Sequence, residues 1–140
     1  MTKYNITERK QKKAVYRTMV NRQLVEELKE KIIKTVRIQK KYRDKGFTAK
    51  RLADELGTNT RYVSAVVNLC FGQNYTSFLN GCRIEEAKSI LEDSQASQLT
   101  MKDVSEMVGF ANRQSFYASF YRVTGMSPCE YRKEHLKDAP

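Results

Sequence analysis

Histidine and cysteine, on which most protein-bound metals and many nucleophilic sites depend, are nearly missing from these 140 residues. His135 stands alone, and the three cysteines, Cys70, Cys82 and Cys129, are odd in number and show no CxxC spacing. Neither a zinc site nor a disulfide framework is encoded, and no metal or other cofactor is expected. A Cys/His nucleophile would need Cys82 or Cys129 to meet His135 with no third residue to orient it, so the cysteines read as small buried hydrophobes. Paired catalytic carboxylates and a glycine-rich phosphate loop are also unrecognisable, so the chain is not expected to be an enzyme. Tryptophan is absent, and only six glycines and two prolines interrupt the chain. No segment alternates apolar and polar residues long enough to suggest strands, which leaves an all-α fold. Long apolar runs are missing too: Val63 to Val67 is among the longest and contains Ser64, against the roughly 18–20 residues a membrane span needs. The first thirty residues are charged throughout, with no visible signal peptide, so a cytoplasmic location and no membrane partner are expected.

What the chain has in excess is positive charge. Twenty-six basic against sixteen acidic side chains give +10, a surplus suited to nucleic acid or an anionic surface. Its location matters more than its size. Residues 1–46 hold fifteen Lys/Arg and five Asp/Glu, whereas residues 47–140 hold eleven of each. Net charge alone therefore does not make the remainder a polyanion binder, and that inference has to come from pattern.

The pattern is a repeat. Five of the six glycines, Gly46, Gly57, Gly72, Gly109 and Gly125, fall where helical patterns stop. From Phe47 to Gly57, Thr48 is an N-cap, Leu52 and Leu56 share one face, and Gly57 ends the helix. After a turn through Thr58 and Asn59, the segment Thr60 to Phe71 carries Tyr62, Val63, Val66, Val67 and Cys70 at helical spacing. The arrangement returns with Thr100 as cap, Val104 and Val108 inward, Gly109 as stop, and a second helix over Asn112 to Thr124 with Phe116 and Phe120 inward. Gly57 and Gly109 are 52 residues apart; Val63/Phe116, Val67/Phe120, Gly72/Gly125 and Phe78/Tyr131 are each 53 apart. One helix-turn-helix unit has been duplicated, with one residue added in the second turn.

Between the units, Thr76 to Asp93 reads as a connector helix capped by Thr76. Its apolar residues Phe78, Leu79, Cys82, Ile84, Ala87, Ile90 and Leu91 spread over an arc of roughly 240°, so it packs on two sides. Arg83 and Glu86 lie within that arc and are expected to form structural ion pairs, with each other or with an acid such as Asp54. Upstream, Val25, Leu28, Ile32 and Val36 share one face of a leading helix over about Arg22 to Lys45 that covers the first unit. Downstream, Ser127-Pro128 starts a final helix with Tyr131 facing inward. The expected organisation is a basic, frayed or loosely docked arm at 1–21, the leading helix and first unit at 22–75, the connector at 76–93, and the second unit with its closing helix at 94–140. That is about seven helices in all.

Over approximately residues 22 to 135 the chain resembles the DNA-binding domain of the AraC/XylS family of bacterial transcription regulators. The resemblance is carried by Leu52-Ala-Asp-Glu-Leu-Gly57 with Arg61-Tyr62-Val63-Ser64, and by Phe78-Leu79-Asn80 with Arg83-Ile84-Glu85-Glu86-Ala87 and Leu91. It continues in Val108-Gly109-Phe110, Ser115-Phe116-Tyr117, Phe120 and Thr124-Gly-Met-Ser-Pro-Cys-Glu-Tyr131-Arg132. It implies two helix-turn-helix subdomains joined by a long helix, and sequence-specific binding of double-stranded DNA that activates or sometimes represses transcription, with activation the expected direction. RNA polymerase is a further candidate partner, and no small-molecule effector site is evident. The departures fall at contact positions: Ala65 and Ala118 stand where the family often has a basic residue, and Asn68 and Tyr121 replace common lysines.

Outward positions of the two second helices are the expected DNA-binding residues: Asn59, Thr60, Arg61, Ser64, Ala65 and Asn68 in the first unit, and Asn112, Arg113, Gln114, Tyr117, Ala118 and Tyr121 in the second, with Arg122 nearby. Arg61 and Arg113 can each donate two bonds to guanine, Asn112 and Gln114 suit adenine, and an alanine can touch a thymine methyl. Lys40, Lys41, Arg43 and Lys45 are expected to add phosphate contacts from the leading helix. The rival reading is a helical protein-interaction or adaptor module without specific DNA binding, since helix-turn-helix folds also serve that purpose.

Overall fold

The computed structural model describes residues 22–136, and the arm expected at 1–21 lies outside the described residues. Among the described residues there are seven α-helices and no strand. They are α1 (Arg22–Ile32), α2 (Ala49–Leu56), α3 (Thr60–Phe71), α4 (Tyr75–Glu92), α5 (Met101–Val108), α6 (Arg113–Thr124) and α7 (Pro128–Leu136).

The duplication is visible in the cap chemistry. Thr48 and Thr100 cap α2 and α5, each accepting from the backbone N–H three residues on; Asn59 and Asn112 do the same for α3 and α6. At the other ends Gly57, Gly72, Gly109 and Gly125 all take left-handed backbone, which lets the chain leave each helix without a Cβ penalty. Such caps are worth about 1 kcal/mol each, enough to set where these short helices begin and end.

Each unit has its own core. Leu28, Ile32, Val36, Leu52, Val63, Val67 and Phe78 belong to the first. Ile84, Leu91, Val104, Val108, Phe116, Phe120 and Tyr131 belong to the second. The connector α4 supplies both, with Phe78 and Leu79 facing one unit and Ile84, Ala87 and Leu91 facing the other, which accounts for its wide apolar arc. At 18 residues it is about 27 Å long. Its cap is Asn74 rather than Thr76: the Asn74 side chain accepts from the Ser77 N–H, and Tyr75 in the first turn is buried with its hydroxyl donating to the Phe47 carbonyl at 2.7 Å. The repeat pointed there, because Asn74 lies 53 residues before the Ser127 cap.

The leading helix also departs from expectation. It does not run to Lys45: α1 widens into a π-type segment at Ile33–Ile38, Lys40 takes left-handed backbone (φ 58), and Lys41–Arg43 form a 3-10 turn. Breaking the helix there turns Tyr42 inward, where it is buried against the first core. Arg83 is structural, as expected, but not through an ion pair. It is only 7% exposed and donates from Nε to the Tyr42 carbonyl at 2.6 Å, from Nη2 to the Asp44 carbonyl at 3.2 Å and from Nη1 to Asn80 Oδ1 at 2.9 Å. Glu86 pairs instead with Arg43, accepting from its Nε at 2.9 Å and also from Nη2, and with Lys40 at 3.7 Å. The reason is reach: the broken leading helix brings main-chain carbonyls and two cations against this face of α4.

That ion pair has a pH signature. Burial pushes the Glu86 carboxyl up, but the hydrogen bond and charge of Arg43, with Tyr42 and Lys40 behind them, hold it below its ordinary value of 4.5. A carboxylate lowered by folding stabilises above its unfolded value, and the stabilisation is lost as pH falls through the folded one. The melting temperature of Glu86→Gln should therefore lie below that of the unsubstituted chain at neutral pH, and the gap should close on acidification below about pH 4. A gap of constant size across that range would show that the pair does not contribute through its charge.

Candidate nucleic-acid interface

The two second helices, α3 and α6, present the expected residues with the expected alternation. Arg61, Ala65 and Asn68 on α3, and Gln114, Ala118 and Tyr121 on α6, are exposed, while Val63 and Val67, Phe116 and Phe120 anchor the opposite faces. Thr60, Arg113 and Arg122 are exposed as well, and Ser64 and Tyr117 are the half-buried members of the set. With the offset of 53, positions 61, 64, 65 and 68 coincide with 114, 117, 118 and 121, so one face geometry is presented twice.

Local hydrogen bonds restrict what some of these side chains can offer. The Oδ1 atoms of Asn59 and Asn112 accept from the N–H groups of Tyr62 and Ser115, at 2.9 and 2.8 Å, which leaves their amide N–H groups as the free ends. A bidentate contact from Asn112 to adenine would have to break the cap. Asn68 donates to the Ser64 carbonyl at 3.0 Å. The guanidinium of Arg113 lies over the Tyr117 ring, 5.0 Å from its centroid, with Nη2 donating to the Tyr117 hydroxyl at 3.3 Å. That stack limits the wandering of a long side chain at the first turn of α6, where a donor to a base edge is useful.

Two exposed positions on α3 escaped the sequence reading. Tyr62, expected to point inward with Val63 and Val66, is 47% exposed, and Leu69 is 55% exposed near the end of α3. The repeat carried the signal for both, because Tyr62 aligns with the polar Ser115 and Leu69 with Arg122.

The basic residues expected at phosphates are divided in their surroundings. Arg43 and Lys40 meet Glu86 at the junction of the units, whereas Lys41 and Lys45 are exposed. Arg51 pairs with Asp44 at 2.9 Å and lies over Phe47. An open groove along α4 is bordered by Gln73, just past α3, and by Val123 in the last turn of α6, so both helices end at the same cleft.

Burial raises the Cys70 and Cys82 thiols above their ordinary value, which disfavours the thiolate. Cys129 lies against the Tyr117 hydroxyl at 3.8 Å, and His135 stacks on Tyr131 and meets its carbonyl at 2.9 Å. Among the described residues no group of three potential ligands could hold a metal, and no helix is long and apolar enough to cross a membrane.

Comparison with known proteins agrees with this architecture. A family model described as a helix-turn-helix domain matches residues 52–134. The melibiose operon regulatory protein of Escherichia coli is 27% identical over 90 residues, covering 64% of this chain and 29% of that protein. The helix-turn-helix-type transcriptional regulator YisR of Bacillus subtilis is 31% identical over 96 residues, covering 69% of this chain and 32% of that protein. The chain thus spans about a third of the length of these relatives. Among solved structures, the C-terminal domain of the two-component response regulator yesN from Fusobacterium nucleatum superposes with a TM-score of 0.60 at 25% identity, covering 80% of this chain and 97% of that one. The C-terminal domain of AraT, a response regulator from Geobacillus stearothermophilus, gives 0.62 at 26% identity, covering 69% and 78%. Seven helices, two matched helix-turn-helix units and a match over more than half the chain lead to one conclusion: the chain belongs to the AraC-type helix-turn-helix family of transcription regulators, which are not enzymes.

Proposed function

We propose that the chain reads DNA sequence with both units, seating α3 and α6 in adjacent segments of the major groove, and that it activates transcription. The observation that carries this reading is the doubled face, in which the same exposed positions on α3 and α6 lie between the same asparagine and glycine caps. A recognition helix fits the ~12 Å major groove, and successive segments on one side of the duplex repeat about every 34 Å. A connector of about 27 Å, with the widths of the units added, is long enough to span that repeat, which supports one polypeptide reading two groove segments. Arg61, Arg113 and Gln114 are the main base readers in this account. Lys41 and Lys45 add phosphate attraction that does not depend on sequence, and Lys40 and Arg43 can do so only in competition with Glu86. Activation is the direction the family resemblance implies, and it would require a contact with RNA polymerase.

The test is fluorescence anisotropy with duplexes selected by the chain from a random pool, against scrambled duplexes of equal composition, over a range of salt. The expected result is binding at least about a thousandfold tighter to the selected duplex, with affinity falling linearly in log–log against salt. Equal, weak binding to both would favour the adaptor reading.

A further inference from the structure

The junction between the two units is built around the turn from Lys40 to Asp44. Sequence places this turn before the first unit, yet it touches both. Tyr42 is buried in the first core. Arg83 of α4 holds the carbonyls of Tyr42 and Asp44, and its guanidinium lies 5.7 Å from the ring centroid of Phe110, a residue of the second core. Glu86, one turn further along α4, grips Arg43 and Lys40 from the other side. The second unit closes the junction at Gly109. A Cβ there would come within 2.8 Å of the Arg43 carbonyl carbon and Cα, whereas a Cβ on the equivalent Gly57 would meet nothing within 4 Å. Both glycines end a helix with positive φ, 70° at Gly57 and 105° at Gly109, and the close approach is made at Gly109 alone. Lys40 is the one non-glycine residue with positive φ among the described residues, and it starts the turn that makes this approach.

We propose that this turn is a latch that fixes the separation and angle of the two reading helices, and that Glu86 and Gly109 are positioning residues setting which spacing of DNA half-sites the chain accepts. The inference rests on the two-unit reading above. With the second unit seated against main chain rather than against flexible side chains, and held through Arg83 and Glu86, it cannot swing without losing buried hydrogen bonds and an ion pair. Adding one base pair between half-sites rotates one by about 34° and moves it about 3.4 Å, which a rigid junction should not tolerate.

The experiment uses the full chain and a set of duplexes derived from one it selects from a random pool. In these the two segments keep their selected spacing or are separated by one or two base pairs more or fewer, and a last duplex carries only the second segment. Glu86→Gln and Gly109→Ala are compared with the unsubstituted chain and with Gly57→Ala, which also puts a side chain on positive-φ backbone at a helix end but without the close contact; folding of each is checked by circular dichroism. The unsubstituted chain and Gly57→Ala should lose about tenfold in affinity for each base pair added or removed. Measured relative to its own single-segment affinity, which cancels any phosphate attraction that Lys40 and Arg43 gain in Glu86→Gln, the affinity of Glu86→Gln and of Gly109→Ala for the selected spacing should fall about tenfold and vary less than about threefold across the set. If Gly109→Ala does not fold, Glu86→Gln decides. A sharp profile that the folded variants retain overturns the latch alone. An unsubstituted chain indifferent to spacing, or equally bound to the single segment, overturns the two-unit reading and the latch with it.

Discussion

Truncating Phe116 to alanine is expected to destabilise the protein by about 3–5 kcal/mol, among the largest losses open to a single side chain here. Phe116 is fully buried and touches three aromatic rings, Phe110, Tyr117 and Phe120, with centroids 5.4 to 5.8 Å away. Its counterpart in the first unit, Val63, is equally buried but smaller, so Val63→Ala should cost distinctly less. Because the two cores share no residue, the loss should fall on α5, α6, α7 and the second half of α4. Hydrogen exchange should accelerate there well before it does in α1 to α3, and affinity for a selected two-segment duplex should drop to that for the first segment alone. Equal acceleration across both units would show that the junction welds them into one cooperative block.

Replacing Arg113 with alanine should cost about 1–3 kcal/mol of binding and relax base preference at one position in the part of the site read by α6. Lys41→Ala offers the contrast. It should weaken all sequences alike and lower the salt slope by about one, because a phosphate contact carries no sequence information. Two features of the structure favour Arg113 as a reader: its place at the start of α6 and its stack on Tyr117. Competition among randomised duplexes measures both effects at once. An Arg113→Ala protein with an unchanged base profile would remove that residue from the reading set.

The units, several of their helix ends and their buried faces were legible in the sequence because each rests on local rules, whereas the asparagine caps at 59, 74 and 112 were not. Thr48, Thr100 and Ser127 announce helix starts, Gly57 and Gly109 announce ends, and the spacing of Val63, Val67, Phe116 and Phe120 announces the inward face. Tyr62 was misplaced because an aromatic beside three valines looks like core, although the repeat maps it onto a serine. What periodicity could not show was the junction. The break at Lys40 has no glycine or proline to mark it, and the charges of Arg83 and Glu86 suggested a local pair. Their actual partners lie about forty residues upstream, in a turn whose position depends on tertiary packing. Burial, followed by the nearby Glu86 carboxylate, pushes the Tyr42 phenol up to about 12, so this junction residue stays neutral. No rule of local spacing could have assigned it that place.

The claim on which the rest depends is that one chain engages two groove segments at once. Repeated selection of duplexes from a random pool by the full chain tests it most directly. The account expects two specified segments whose centres lie about one helical turn, roughly 10 base pairs, apart, with Arg113→Ala relaxing one and Arg61→Ala the other. A single specified segment that responds to only one of these substitutions, or a pool that never converges, would contradict it.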